Sequence, residues 1–294
     1  MLDSASLLAH SQDLDLIVRH VLAGLGHGLH AGRERGAGVE FSEYRAYAPG
    51  DEWRRVDWKL LARNDRYYVR EAERDSHVAI WLWLDASASM AEPSYQIPGI
   101  TKLDFARVIF ACLAAVAQRQ GDAFGLLIAQ QGRMQITPAA RGPRQFHRVM
   151  AQLKQTNPAG VLPDAAMLKT QLHFARAPSL IFAISDFLEW PSACSESLVR
   201  LRHMQHDVRA LCLQTKAECE ASFPSDTAYV DPEHHANPVK FSDNAKAEFL
   251  AAHTAHFQRV EQQCRQVNIP FLRACIEQDV GKTLRDWLKL AGRA

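Results

Sequence analysis

From residue 78 onward, five short apolar runs punctuate the chain: VAIWLWL (78–84), FGLLIA (124–129), LIFAI (180–184), VRALCL (208–213) and IPFLRACI (269–276). Segments with helical spacing separate them. A strand that is apolar without alternation is buried on both faces, which happens when helices cover both sides of a mostly parallel sheet. The first intervening helix opens at Thr101, an N-cap residue, with Asp104 at the third helical position. Its apolar stripe runs through Leu103, Ala106, Phe110, Leu113, Ala114 and Ala117. Further helices are predicted over 143–155, 164–175, 193–204, 244–267 and 281–291. The stretch QQGRMQITPA (130–139) follows the second run so closely that a hairpin and one antiparallel edge strand are expected. The fold class is therefore α/β, a doubly wound, mostly parallel sheet with helices on both faces. Such sheets bind ligands beyond the carboxyl ends of their strands, where the strand order reverses.

Bulk properties exclude several classes. Lys plus Arg total 34 against 33 for Asp plus Glu, so no overall charge drives the 294-residue chain toward nucleic acid or a membrane surface. No apolar run approaches the ~20 residues of a membrane span. The start, MLDSASLLAHSQDLDL, lacks the basic opening and apolar core of a signal peptide. Six cysteines without any Cys-x-x-Cys pair suit free thiols in a reducing compartment. A cytoplasmic protein with no membrane span and no nucleic-acid partner is expected.

Residues 1–75 differ in texture from 76–294, and the two are expected to be an N-terminal extension and the sheet domain. The extension carries an amphipathic helix near Leu14–Leu29, a glycine-rich turn and a strand near Tyr67–Glu73. Between them lies EFSEYRAYAPGDEWRRVDWKLLARNDRYYVRE, in which acidic, basic and aromatic residues interleave. Interleaved signs suit a scaffold of ion pairs or a partner-recognition surface rather than a one-signed nucleic-acid stripe.

The stretch most informative about function is WLWLDASASM (81–90), where a buried strand runs straight into Asp85, Ser87 and Ser89. The later ISDF places Asp186 at another strand end. Hydroxyls and carboxylates gathered at a sheet's open rim are hard oxygen ligands of the kind magnesium prefers. The alternative is that Ser87 and Ser89 only cap the following turn.

WLWLDASASM resembles the first metal-site motif of von Willebrand factor type A domains, Asp-x-Ser-x-Ser at the end of the first sheet strand, and AISDF is similar to the third. The resemblance implies that Asp85, Ser87, Ser89 and Asp186 surround a magnesium or manganese ion. It departs from the pattern where a threonine is expected after Gly160, since Val161, Leu162 and Pro163 stand there. Thr156 precedes this position, and Asp164 suits a helix cap. A second resemblance rests on Glu40, Phe41, Arg45, Tyr47, Gly50, Asp51, Arg54 or Arg55, Asp57, Trp58, Lys59, Ala62 and Arg63. Their spacing is similar to the signature of the bacterial domain of unknown function family 58. That resemblance implies a von Willebrand A-like domain, non-enzymatic, acting as an adaptor with an AAA+ ATPase of the MoxR type or its client.

Two other readings stand beside this one: a metal-dependent phosphoester hydrolase using Asp85 and Asp186, and a structural partner whose metal site is vestigial. GLGHGLHAG (24–32) follows a helix rather than a strand, so it does not cradle phosphate. His234–His235 are expected in a solvated loop, and His253 and His256 on a solvated helix face.

Overall fold

The computed structural model describes residues 13–29, 43–46, 68–71, 78–171, 174–175, 177–223, 228–233, 238–240 and 243–290. Two compact units emerge, residues 1–27 with 78–294, and residues 28–77.

In the larger unit, six strands form one sheet in the order β10-β7-β6-β3-β4-β5. These are β3 (Ile80–Asp85), β4 (Phe124–Gln130), β5 (Arg133–Ala140), β6 (Leu180–Ser185), β7 (Asp207–Gln214) and β10 (Phe271–Cys275). All neighbours run parallel except β5, which pairs antiparallel with β4 as the hairpin spacing predicts. From β3 the chain moves one way to β4 and β5, then crosses back to β6 on the other side of β3. The order therefore reverses between β3 and β6, and that is the switch point.

The helices lie where their stripes require. They are α1 (Leu14–Leu29), α2 (Lys102–Gln120), α3 (Pro143–Gln155), α4 (Ala165–Gln171), α5 (Ala193–His203), α6 (Lys216–Glu220), α7 (Asp243–Gln266) and α8 (Val280–Leu290). Alternate strand residues point to opposite faces. Leu82, Leu84, Leu126, Ile128, Phe182 and Ile184 join one core with residues of α1, α2, α3 and α8. Trp81, Trp83, Leu127, Ile181, Ala183 and Ala210 join a second core with residues of α4, α5 and α7. The predicted Thr101–Asp104 capping box is present in full, each side chain bonded to the other residue's backbone N–H.

The helix α1, read from sequence as part of the extension, belongs to the compact unit of the sheet. Its buried Leu14, Ile17, Val18, Val21 and Leu22 enter the first core, and Lys154 Nζ lies 2.8 Å from Asp15. Of the smaller unit, the structure describes β1 (Glu43–Ala46), which pairs antiparallel with β2 (Tyr68–Glu71). Arg45 lies in β1. The rest of the charged signature, Glu40, Phe41, Tyr47, Gly50, Asp51, Arg54, Arg55, Asp57, Trp58, Lys59, Ala62 and Arg63, lies outside the described residues. Pieces not anticipated are β1, the short helix α6, and a two-stranded pair of β8 (Ala228–Tyr229) and β9 (Val239–Lys240).

Gly125 is required by close approach. Gly125 pairs with Trp81 across β3 and β4, and a Cβ there would lie 2.5 Å from the indole and 2.8 Å from the Thr137 carbonyl oxygen. Gly125→Ala is expected to cost about 1–3 kcal/mol, because neither the packed indole nor backbone can yield. Chemical denaturation measures it, and an unchanged midpoint contradicts the packing described.

Candidate functional site

Asp85 ends β3, and Ser185 and Asp186 end β6, so the switch point brings them together. The first turn after β3 is shaped by the Asp85 carboxylate. Its Oδ1 accepts from the Ser87 backbone N–H at 2.8 Å and from the Ser87 hydroxyl at 2.7 Å, and its Oδ2 accepts from the Ser185 hydroxyl at 2.6 Å. Ser87 and Ser89 hydroxyl oxygens lie 3.1 Å apart. The Ser89 N–H donates to Glu233 Oε1 at 3.1 Å. The two hydroxyls thus face each other, as the ligand reading requires, while the Ser87 side chain makes no cap hydrogen bond to the Ala88–Ala91 turn.

Asp85 and Asp186 are 2% and 4% exposed, so both carboxylates are sealed beneath the rim rather than open on it. Burial, followed by the charge of Asp186, raises the Asp85 carboxyl to about 7, against the opposing hydrogen bonds of Ser185 and Ser87. Asp186 Oδ2 accepts from Lys102 Nζ at 3.3 Å. Lys102 is the first residue of α2 and is 1% exposed. Its ammonium also donates to Glu218 Oε1 at 2.6 Å. Burial pushes Lys102 down, but Asp186 and Glu218 carry it above its ordinary value, so it is charged. Glu218 is fixed in turn by the α6 capping box, its Oε2 accepting from the Thr215 N–H at 2.6 Å. Glu92 lies close enough to feel both Lys102 and Glu218, and burial raises its carboxyl.

The loop expected to supply a threonine does reach the site. Ala88 N–H donates to the Gly160 carbonyl at 2.8 Å, and Ala159 N–H donates to the Ala86 carbonyl at 3.0 Å. Gly160 holds φ of +65°, which suits its lack of a Cβ. No hydroxyl follows it, because the next residue is Val161. The Thr156 hydroxyl instead donates to the Gln152 carbonyl at 2.7 Å, within its own helix end. Asp164 caps α4 through the Met167 N–H at 2.8 Å, as expected.

The donor set can now be tested against a divalent ion. The hydroxyl pair and the adjacent Gly160 loop suit one. Against it, both Asp85 oxygens already hold hydrogen bonds, Asp186 faces an ammonium, and positions 161–163 offer no side-chain oxygen. Among the described residues, no group of three or more His, Cys, Asp or Glu side chains is placed to hold a metal ion. As folded, the arrangement is complete without an ion and does not fit one.

Ser185 completes the ring, and Lys102 and Glu218 close it; sequence reasoning passed over both charged residues. A signal for Lys102 existed. A lysine in a helix's first turn opposes the macrodipole, and here it directly follows the cap. His253 corrects an expectation, being buried rather than solvated, bonded to Gln214 at 2.9 Å and stacked on Phe249. His256 bonds the Phe187 carbonyl oxygen at 2.9 Å, while His234 and His235 lie outside the described residues.

The segments that flank these polar groups expose several large apolar residues. Leu188 follows Asp186 by two residues, Val161 follows Gly160, Val230 precedes Glu233, and Tyr95 follows the Ala88–Ala91 turn; each is exposed. Among the described residues no helix is long and apolar enough to cross a membrane.

A reversed strand order with an Asp-x-Ser-x-Ser turn at the switch point defines a doubly wound α/β domain. The chain belongs to the family described as protein of unknown function DUF58, whose model matches residues 43–259. Uncharacterized proteins of Mycobacterium tuberculosis (strain H37Rv) and Mycobacterium bovis are 30% identical to it over 295 residues, covering 98% of this chain and 88% of theirs. Among solved structures, BatB from Bacteroides thetaiotaomicron is similar with a TM-score of 0.44 and 13% identity, covering 72% of this chain and 99% of that one. The SpRpn10 VWA domain is similar with a TM-score of 0.41 and 11% identity, covering 71% and 94%.

Proposed function

We propose that this protein is a non-enzymatic interaction module of the cytoplasm that docks a protein partner on the rim above Asp85, Ser87, Ser89 and Asp186. The partner class is the one its family resemblance implies, an AAA+ ATPase of the MoxR type or that ATPase's client. The observation that carries the reading is the combination of buried polar groups at the strand ends with exposed Tyr95, Val161, Leu188 and Val230 in the segments that flank them. Exposed apolar residues beside a few directional polar groups suit a protein interface, with apolar area for affinity and hydrogen bonds for register. The same sealing argues against the hydrolase reading, since a carboxylate 2% exposed with both oxygens engaged has no open side for a phosphoester. A phosphatase screen with magnesium or manganese is expected to show no activity that Asp85→Asn removes.

Asp85 is the hub of the turn, so Asp85→Ala leaves the Ser87 N–H and two hydroxyls without their acceptor. Capture of the ATPase by the tagged full chain is expected to be lost in Asp85→Ala. Capture at wild-type strength would show that the rim is not the docking surface. An ion-dependent form of docking, with magnesium or manganese on Asp85, Ser87, Ser89 and Asp186, requires Lys102 to leave Asp186. Capture that EDTA abolishes and added ion restores is the result that selects it.

A further inference from the structure

We propose that Lys102 is the resident cation of this site, and that its ammonium takes the electrostatic place of a divalent ion. The inference deepens the docking reading and rests on it for the role of the rim, but it is tested without any partner.

The geometry is specific. Lys102 begins α2, yet its side chain does not run to solvent as lysines do, being 1% exposed. Its Nζ bridges Asp186 at the end of β6, at 3.3 Å, and Glu218 in α6, at 2.6 Å. It therefore ties together three segments that the sheet delivers to one end: the α2 start, the β6 end and the β7–α6 corner. A buried carboxylate needs either a cation or a proton, because the charged form loses its hydration. Asp186 receives a cation from the chain itself. Asp85 receives three hydrogen bonds, from Ser87 and Ser185. Every buried oxygen at the two strand ends that an ion would draw on is thus already engaged.

A divalent ion placed here would sit against an ammonium that is 1% exposed and held by two carboxylates. At a few ångströms, like charges in a poorly hydrated setting repel by several kcal/mol at an effective dielectric of about 20. The missing hydroxyl at Val161 follows the same logic, for a site with a built-in cation needs no further ion ligand. Recognition at this rim is accordingly set by hydrogen bonds and apolar contact, and it does not depend on magnesium.

The test is a thermal-shift and calorimetric titration of the full chain with magnesium chloride and manganese chloride after EDTA treatment. For the wild type, no saturable heat and a Tm change under about 1 °C are expected at about 10 mM ion, where a Kd near 0.1 mM would raise Tm by roughly 5 °C or more. In Lys102→Met the carboxylates lose their cation, so the variant is expected to melt lower and to gain a manganese-dependent rise in Tm. The proposal is overturned by a saturable wild-type shift that Asp85→Asn removes. It is equally overturned by a folded Lys102→Met that melts as the wild type does and gains no ion response. If Lys102→Met does not fold, the wild-type titration decides alone. Loss of partner capture in Asp85→Ala together with a wild-type ion shift would retain docking and remove the resident cation. Intact capture with no ion shift would do the reverse.

Discussion

Lys102→Met is expected to destabilise the protein by about 3–5 kcal/mol at pH 7, the cost of breaking a buried ion pair from one side. Methionine fills nearly the same volume, so little of this is a cavity effect. The loss arises because Asp186, 4% exposed, and the partly buried Glu218 keep their charges and lose their cation. In a chain of this size the melting temperature should fall by roughly 10 °C. Asp186→Asn in the Lys102→Met background should recover part of the loss, and a double-mutant cycle reads that coupling. Additive single effects would mean that the 3.3 Å contact carries no energy.

The second large effect is expected from Asp85. Its carboxyl, with an ordinary value of 3.8, is raised to about 7, first by burial and then by the charge of Asp186. Below about pH 4 both folded and unfolded chains hold this proton. Between about 4 and 7 the unfolded chain releases it while the native chain keeps it, so stability falls as pH rises. Above 7 both are ionised and the loss is complete, on the order of 4 kcal/mol for this one group. Asp85→Asn cannot ionise, and its side-chain oxygen can still accept from Ser87. In metal-free buffer the variant should match the wild type near pH 4 and exceed it at pH 8. Denaturant titrations at the two pH values measure this, and parallel pH profiles would contradict the burial of an ionisable Asp85.

The helices and strands were legible because each carries its own periodicity. The five apolar runs became five of the six strands, and the Thr101–Asp104 box marked the start of α2 to the residue. Asp85 and Asp186 were legible as strand-end residues because an acid terminating an apolar run has no local reason to be there. What escaped were the residues whose roles depend on long-range placement. Lys102 looks like any lysine near a helix start, and its partners lie 84 and 116 positions away. Ser185 looks like the last residue of a strand, and only the β3–β6 neighbourhood aims its hydroxyl at Asp85. Burial was likewise hidden. A strand end reads as an opening to solvent, whereas the Gly160 loop, α6 and the Ala88–Ala91 turn close over it.

The most direct measurement is the affinity of a purified AAA+ ATPase of the proposed class for the full chain in EDTA, compared with that of Val161→Asp and Leu188→Asp. Val161 is 38% and Leu188 44% exposed, so neither substitution should change the melting temperature by more than a degree or two. The account predicts wild-type binding without added ion, weakened about tenfold or more by either substitution, which corresponds to about 1.4 kcal/mol. Equal affinity for all three proteins would place the docking surface elsewhere.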